Sequence, residues 1–147
     1  MDQMIEGFRR FRDNYFAKNR PLFDTLAQHG QTPKVLLIGC SDSRVDPAII
    51  FDAQPGEMFV LRNVANLIPP FAPDNGHHGT SAAVEFAVRG LKVEHIIVLG
   101  HARCGGVRAL IEGNPNDSSD FIHGWMQIAR SARDRALALT LSAGQPI

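Results

Sequence analysis

Two cysteines and one histidine stand where they could act on one metal ion. Cys40 follows Gly39 at the end of the apolar run Val35-Leu36-Leu37-Ile38, and His101 follows Gly100 at the end of Ile96-Ile97-Val98-Leu99. Cys104 comes three residues after His101, just before Gly105-Gly106. In open parallel sheets, ligands and catalytic groups collect at the carboxyl ends of strands. If the two runs are neighbouring strands, Cys40 and His101 meet there, and a short turn brings Cys104 to the same point. Two thiolates and an imidazole suit Zn²⁺, and three protein ligands leave a fourth position for water or substrate, as in a catalytic rather than a structural site. A helix starting after Cys104 would favour its thiolate form. A lone Cys after a strand is more often a small buried apolar residue, so the signal lies in the repetition at two equivalent strand ends.

The residues after Cys40 add to this pattern. Cys40-Ser41-Asp42-Ser43-Arg44 places a carboxylate two residues beyond the first ligand and a guanidinium two beyond that. Asp42 could coordinate the metal itself, or pair with Arg44 and accept a hydrogen bond from a hydroxide on the metal. These two alternatives exclude each other. The plainer reading, a surface ion pair worth little, fits poorly beside a thiolate at a strand end.

The elements that must position these residues can be read from periodicity. Met4, Phe8, Phe11 and Tyr15 form the apolar stripe of an amphipathic helix, and Pro21 opens a second helix that Gly30 closes. Strands buried on both faces are expected at 35–39 and 96–99, with a shorter one at 58–61. Helices are expected at 47–51, about 79–89 and from about 105. Asp120 would cap a last helix carrying Trp125, Ile128, Ala132, Ala136 and Leu139 on one stripe. Strands alternating with helices predict an α/β fold with a mostly parallel central sheet flanked by helices. The N-terminal helices, with Phe8, Phe11, Tyr15 and Phe16, would either pack on the core or lie across a partner subunit.

Composition bounds the rest. The 147 residues carry 15 Lys+Arg against 15 Asp+Glu, which argues against coating nucleic acid or an anionic membrane. No apolar run approaches the roughly 20 residues that span a bilayer, and the N-terminus lacks a signal-peptide core, so a cytoplasmic protein is expected. Two cysteines are too few for a disulfide framework. One domain is expected over 1–147, with a helical arm at 1–30, a metal-site core at 31–113 and a C-terminal helix and tail at 114–147.

The segments CSDSRVD, PGEMFVLRNVANLIPP and HHGTSAAVEFAVRGLKVEHIIVLGHARCGG resemble the β-class carbonic anhydrases from about Gln31 through Val107. The resemblance implies zinc-dependent, reversible hydration of carbon dioxide to bicarbonate and a proton, by attack of a zinc-bound hydroxide. It places one zinc per subunit on Cys40, His101 and Cys104, and a catalytic dyad on Asp42 and Arg44, with Asp42 a possible fourth ligand in a closed state. Gln31 matches a glutamine that reaches bicarbonate from the partner subunit. Phe59, Val64 and Phe86 match the apolar carbon dioxide pocket, Phe86 standing where a tyrosine is usual, and Gly105 matches a further substrate-binding position. Leu37 replaces the tryptophan of the allosteric subgroup, which favours the plant-like one. The family also implies a homodimer or tetramer with the active site at the dimer interface. This sequence is shorter than the family leads one to expect, lacking its usual C-terminal part.

Other chemistries fit less well. A phosphatase-type cysteine loop would need arginine at position 46, which holds Asp46, and Gly100 to Gly106 lacks the Lys and Ser/Thr of a P-loop. Two alternatives survive: hydrolysis of carbon disulfide or carbonyl sulfide on the same scaffold, and a non-catalytic, zinc-stabilised assembly protein. The proton carrier is not evident among His29, His77, His78, His95 and His123.

Overall fold

The computed structural model describes residues 1–113 and 121–142. Its centre is a parallel sheet of three strands, β1 (Val35–Cys40), β2 (Met58–Asn63) and β3 (His95–Leu99), in the order β2-β1-β3. Around it run α1 (Asp2–Arg10), α2 (Arg20–His29), α3 (Pro47–Ile50), α4 (Gly79–Glu85), α5 (Gly105–Glu112), α6 (Ile122–Met126) and α7 (Arg130–Ser142). The expected α/β architecture is therefore present. Among the described residues, no helix is long and apolar enough to cross a membrane.

The central strand behaves as an unbroken apolar run should. Leu36, Leu37 and Ile38 are wholly buried, each worth about 1.5–3 kcal/mol of side-chain transfer from water. Leu36 and Ile38 pack with Ala87 and, at its margin, Phe59, Leu61, Val84 and Val93. A second cluster, Cys40, Val45, Ala65, Cys104, Leu110 and Met126, gathers at the carboxyl end of the sheet.

Two expectations need correction. The third strand, expected to be buried on both faces, is an edge strand on which Ile96 and Val98 remain 51% and 53% exposed. Its apolar run resembles that of β1, but strand order decides which run is covered, and composition does not encode order. The last helix is not one continuous element. A 3₁₀ turn at Gln127–Ala129 separates α6 from α7. Of the expected stripe, Trp125 and Ile128 are half-buried, and Trp125 packs on the second cluster, but Ala132, Ala136 and Leu139 are exposed; beyond the turn the half-buried positions include Arg133 and Leu137. The proposed cap Asp120 lies outside the described residues.

Part of the N-terminal stripe packs within its own chain. Phe11, Tyr15, Phe16 and Phe23 cluster ring against ring, with Phe16 and Phe23 4.9 Å apart, and the Tyr15 hydroxyl donates to Gln54 Oε1 at 2.8 Å. Helix α1 buries no residue, and Met4 and Phe8 are exposed.

Candidate metal centre

Sheet register brings the predicted ligands together. In the parallel ladder Gly39 pairs with Leu99, so Cys40 and the residues just past Leu99 leave the sheet side by side. Arg103, in the left-handed region at φ 54°, turns the chain back so that Cys104 caps α5. The donor atoms of Cys40, His101 and Cys104 then lie within 4.8 Å of one another. The two sulfurs are 4.0 Å apart, far beyond a disulfide. Two sulfurs on one tetrahedral zinc stand about 3.8 Å apart, given Zn–S bonds of about 2.3 Å.

The histidine is oriented for the same purpose. His101 Nδ1 lies 3.1 Å from the Ala102 carbonyl, a contact that requires the proton on Nδ1 and leaves the Nε2 lone pair free. Nε2 is buried and has no hydrogen-bond partner. An orphaned buried nitrogen costs about 1–3 kcal/mol, and a metal ion beside two sulfurs would satisfy it. The donor set therefore fits zinc.

The sulfur of Cys40 is prepared by its neighbours. Burial alone pushes this thiol up. The backbone N–H groups of Asp42, the largest contribution, and of Ala65 are among the groups that outweigh that and bring it down to about 7. Ala65 can aim its N–H there because it adopts φ 64° in a tight turn. Asn63 braces that turn from both ends, its Nδ2 donating to the Leu67 carbonyl and its Oδ1 accepting from the Leu67 N–H, at 2.7 and 2.9 Å. The Trp125 indole donates to the Val64 carbonyl at 2.7 Å and covers the turn.

Of the two alternatives for Asp42, this conformation has the pair with Arg44. Arg44 donates from Nε to Oδ1 at 3.0 Å, from Nη2 to Oδ2 at 2.7 Å and from its own backbone N–H to Oδ1 at 2.9 Å. These bonds hold the carboxyl well below the usual carboxylate range. Nη2 also reaches the Arg103 carbonyl at 3.3 Å, tying the Cys40 and Cys104 segments together.

The expected substrate residues fall into two groups. Val64 and Gly105 lie at the metal end, and a Cβ on Gly105 would meet nothing within 4 Å. Phe59 and Phe86 stand 5.7 Å apart, centroid to centroid, and Phe86 lines a hollow with Leu26, Gly30, Gln31, Gly56 and Leu91. Gln31 precedes β1 and Cys40 ends it, with about 16 Å of strand between Val35 and Cys40. Within one chain, Gln31 therefore sits at the opposite end of the sheet from the metal group. Among the histidines, His78 Nε2 contacts Asp74 at 2.6 Å, and His77 and His78 line a hollow shared with Asn63, Val64, Thr80 and Trp125.

Sequence reasoning passed over Ala65, Asn63 and Arg62. A positive φ at alanine leaves no mark in composition, but an arginine closing the apolar run Met58-Phe59-Val60-Leu61 was a usable signal, since a partly buried guanidinium needs acceptors.

A parallel sheet flanked by helices, with Cys40, His101 and Cys104 gathered at its carboxyl edge, defines an α/β protein with a donor set that could hold a metal ion. The family model for carbonic anhydrase matches residues 35–145, and the chain belongs to that family. It is 43% identical over 134 residues to a carbonic anhydrase of Synechococcus elongatus, covering 90% of this chain and 48% of that protein. It is 39% identical over 138 residues to beta carbonic anhydrase 3 of Arabidopsis thaliana, covering 92% and 53%. The solved β-carbonic anhydrase CcaA superposes with a TM-score of 0.86 at 38% identity, over 94% of this chain and 61% of that one. A tetrameric β-carbonic anhydrase from Sordaria macrospora superposes at 0.80 and 30% identity, over 96% and 68%. The chain spans about half the length of the curated relatives it matches.

Proposed function

We propose that this chain carries the centre for zinc-dependent, reversible hydration of carbon dioxide to bicarbonate and a proton. The observation that carries this reading is the convergence of Cys40, His101 and Cys104 within 4.8 Å, with Asp42 held beside them by Arg44. Zinc at Cys40, His101 and Cys104 would act as a Lewis acid and make a strong nucleophile of water near neutral pH; in three-histidine zinc sites the pKa of water falls from 15.7 to about 7.

The chain's own residues supply the rest. Asp42, kept ionised and turned toward Arg44, offers an acceptor for a hydrogen of the nucleophilic water and so directs its lone pair at carbon. Arg44 fixes that carboxylate and keeps it from the ligand position. The N–H groups of Asp42 and Ala65 stabilise the Cys40 thiolate as a ligand. Carbon dioxide is apolar with few polar handles, and the cluster of Val45, Ala65, Leu110 and Met126 behind the ligands supplies apolar surroundings.

Completion of the substrate pocket is assigned to a homodimer or a higher assembly. Gln31, Phe59 and Phe86 lie away from the metal group of their own chain, and in a dimer they would close the site of the partner. The fully buried Leu37 fits the plant-like subgroup. A cytoplasmic location completes the proposal. Parallel assays with carbon dioxide, carbon disulfide and carbonyl sulfide test the substrate. Hydration of carbon dioxide as the fastest reaction supports this reading, and turnover of a sulfur compound alone overturns it.

A further inference from the structure

The arginine one residue before the end of β2 has three acceptors, each in the segment that follows from Cys40. Arg62 donates from Nε to the Cys40 carbonyl at 2.9 Å, from Nη2 to the Asp42 carbonyl at 2.7 Å and from Nη1 to Asp46 Oδ2 at 3.1 Å. Its side chain is 26% exposed, against 57% for Arg44. Asp46 in turn caps α3, its Oδ1 accepting from the Ala48 N–H at 3.0 Å. One guanidinium thus spans the end of β1, the turn after it and the start of the next helix.

We propose that Arg62 is a positioning residue for the Cys40–Asp42 turn, setting the placement of the Cys40 sulfur and the Asp42 carboxylate through their backbone rather than through contact with substrate. The inference rests on the reading of Cys40, His101 and Cys104 as a zinc site. Both carbonyls of Cys-x-Asp accept from one planar group. In the same turn the Asp42 N–H bonds the Cys40 sulfur and the Asp42 carboxylate bonds Arg44. Arg44 governs the carboxylate and Arg62 governs the peptide that carries it. The task requires a rigid fork of several N–H donors. Lysine presents a point charge that can face Asp46 but cannot hold two carbonyls in fixed geometry at the same time.

The test uses the full chain loaded with zinc, or with cobalt(II) as a spectroscopic stand-in, and compares Arg62→Lys, Arg62→Gln and Asp46→Asn with the wild type. Partners that orient metal ligands contribute about 10- to 100-fold in affinity or activity. Arg62→Lys is therefore expected to release zinc to a chelator about tenfold faster or more, to change the cobalt d–d bands, and to lower kcat with KM little changed. Arg62→Gln should do the same without the charge. Asp46→Asn keeps both carbonyl bonds and should lose thermal stability while retaining the wild-type cobalt spectrum. Wild-type cobalt bands and zinc release in the folded Arg62 variants, or equal spectral change in Asp46→Asn, would overturn the assignment. So would failure of both Arg62 variants to fold, which would make the residue structural. The proposed activity fails separately: zinc-loaded wild type without carbon dioxide hydration removes that reading, while the cobalt spectra and chelator rates still decide the role of Arg62.

Discussion

Gly106 lies so close to Ala65 that a Cβ on the glycine would stand 3.0 Å from the Cβ of the alanine. The same Cβ would be 3.1 Å from Val64 Cγ1 and 3.3 Å from Met126 Sδ. The glycine lets α5 pack on the turn whose Ala65 N–H faces the Cys40 sulfur. Gly106→Ala should push that turn away, costing about 1–3 kcal/mol by overpacking, with faster loss of zinc. Thermal unfolding and chelator release together check this. A variant with wild-type values in both would show that the contact yields without consequence.

Arg44 accounts for three of the hydrogen bonds on Asp42. In Arg44→Ala, both side-chain bonds disappear and the carboxylate is free to swing toward the ligand position. Carbon dioxide hydration should fall by roughly 10- to 100-fold or more at full zinc loading. Unchanged turnover at a measured stoichiometry of one zinc per chain would contradict the role given to the pair.

The lowered thiol of Cys40 links metal-free stability to pH. Its folded value of about 7 lies below the ordinary 9.0, so the folded state favours the thiolate. An acid with a depressed folded value stabilises the fold fully above the unfolded value, and that contribution is lost as pH falls through the folded one. The urea midpoint of zinc-free protein should therefore rise between pH 7 and 9. Cys40→Ser should flatten the rise, and an equal rise in that variant would assign it to another group.

Helix α1 exposes Met4 and Phe8 and buries none of its residues, so a partner subunit is its proposed cover. Removing residues 1–10 spares the ring cluster of Phe11, Tyr15, Phe16 and Phe23. The shortened chain should bind zinc normally but dissociate at concentrations where the full chain is dimeric. Sedimentation velocity reads this directly, and an unchanged assembly would return α1 to a role within its own subunit.

The gathering of Cys40, His101 and Cys104 was legible because its parts are local. An apolar run ending in Gly-Cys or Gly-His marks a strand and a ligand together, and Asp42 and Arg44 are close enough in sequence to be read as a pair. The choice between a bound and a paired Asp42 needed coordinates, because both obey the same spacing. Exposure of β3 was not legible, since Ile96 to Leu99 is as apolar as the buried run at β1 and only strand order separates them. The exposure of Ala132, Ala136 and Leu139 was not legible either, since the neighbouring stripe through Ala129, Arg133 and Leu137 has the same helical spacing. Ala65 and Arg62 act through a positive φ and through bonds to carbonyls distant in sequence, neither of which a local pattern records.

The central claim is that Cys40, His101 and Cys104 hold a zinc ion that hydrates carbon dioxide. Stopped-flow hydration on protein of measured zinc content tests it most directly. Activity should rise in proportion to zinc up to one ion per chain, vanish on chelation and return on re-addition. A fully zinc-loaded, correctly assembled protein that leaves carbon dioxide unhydrated would contradict it.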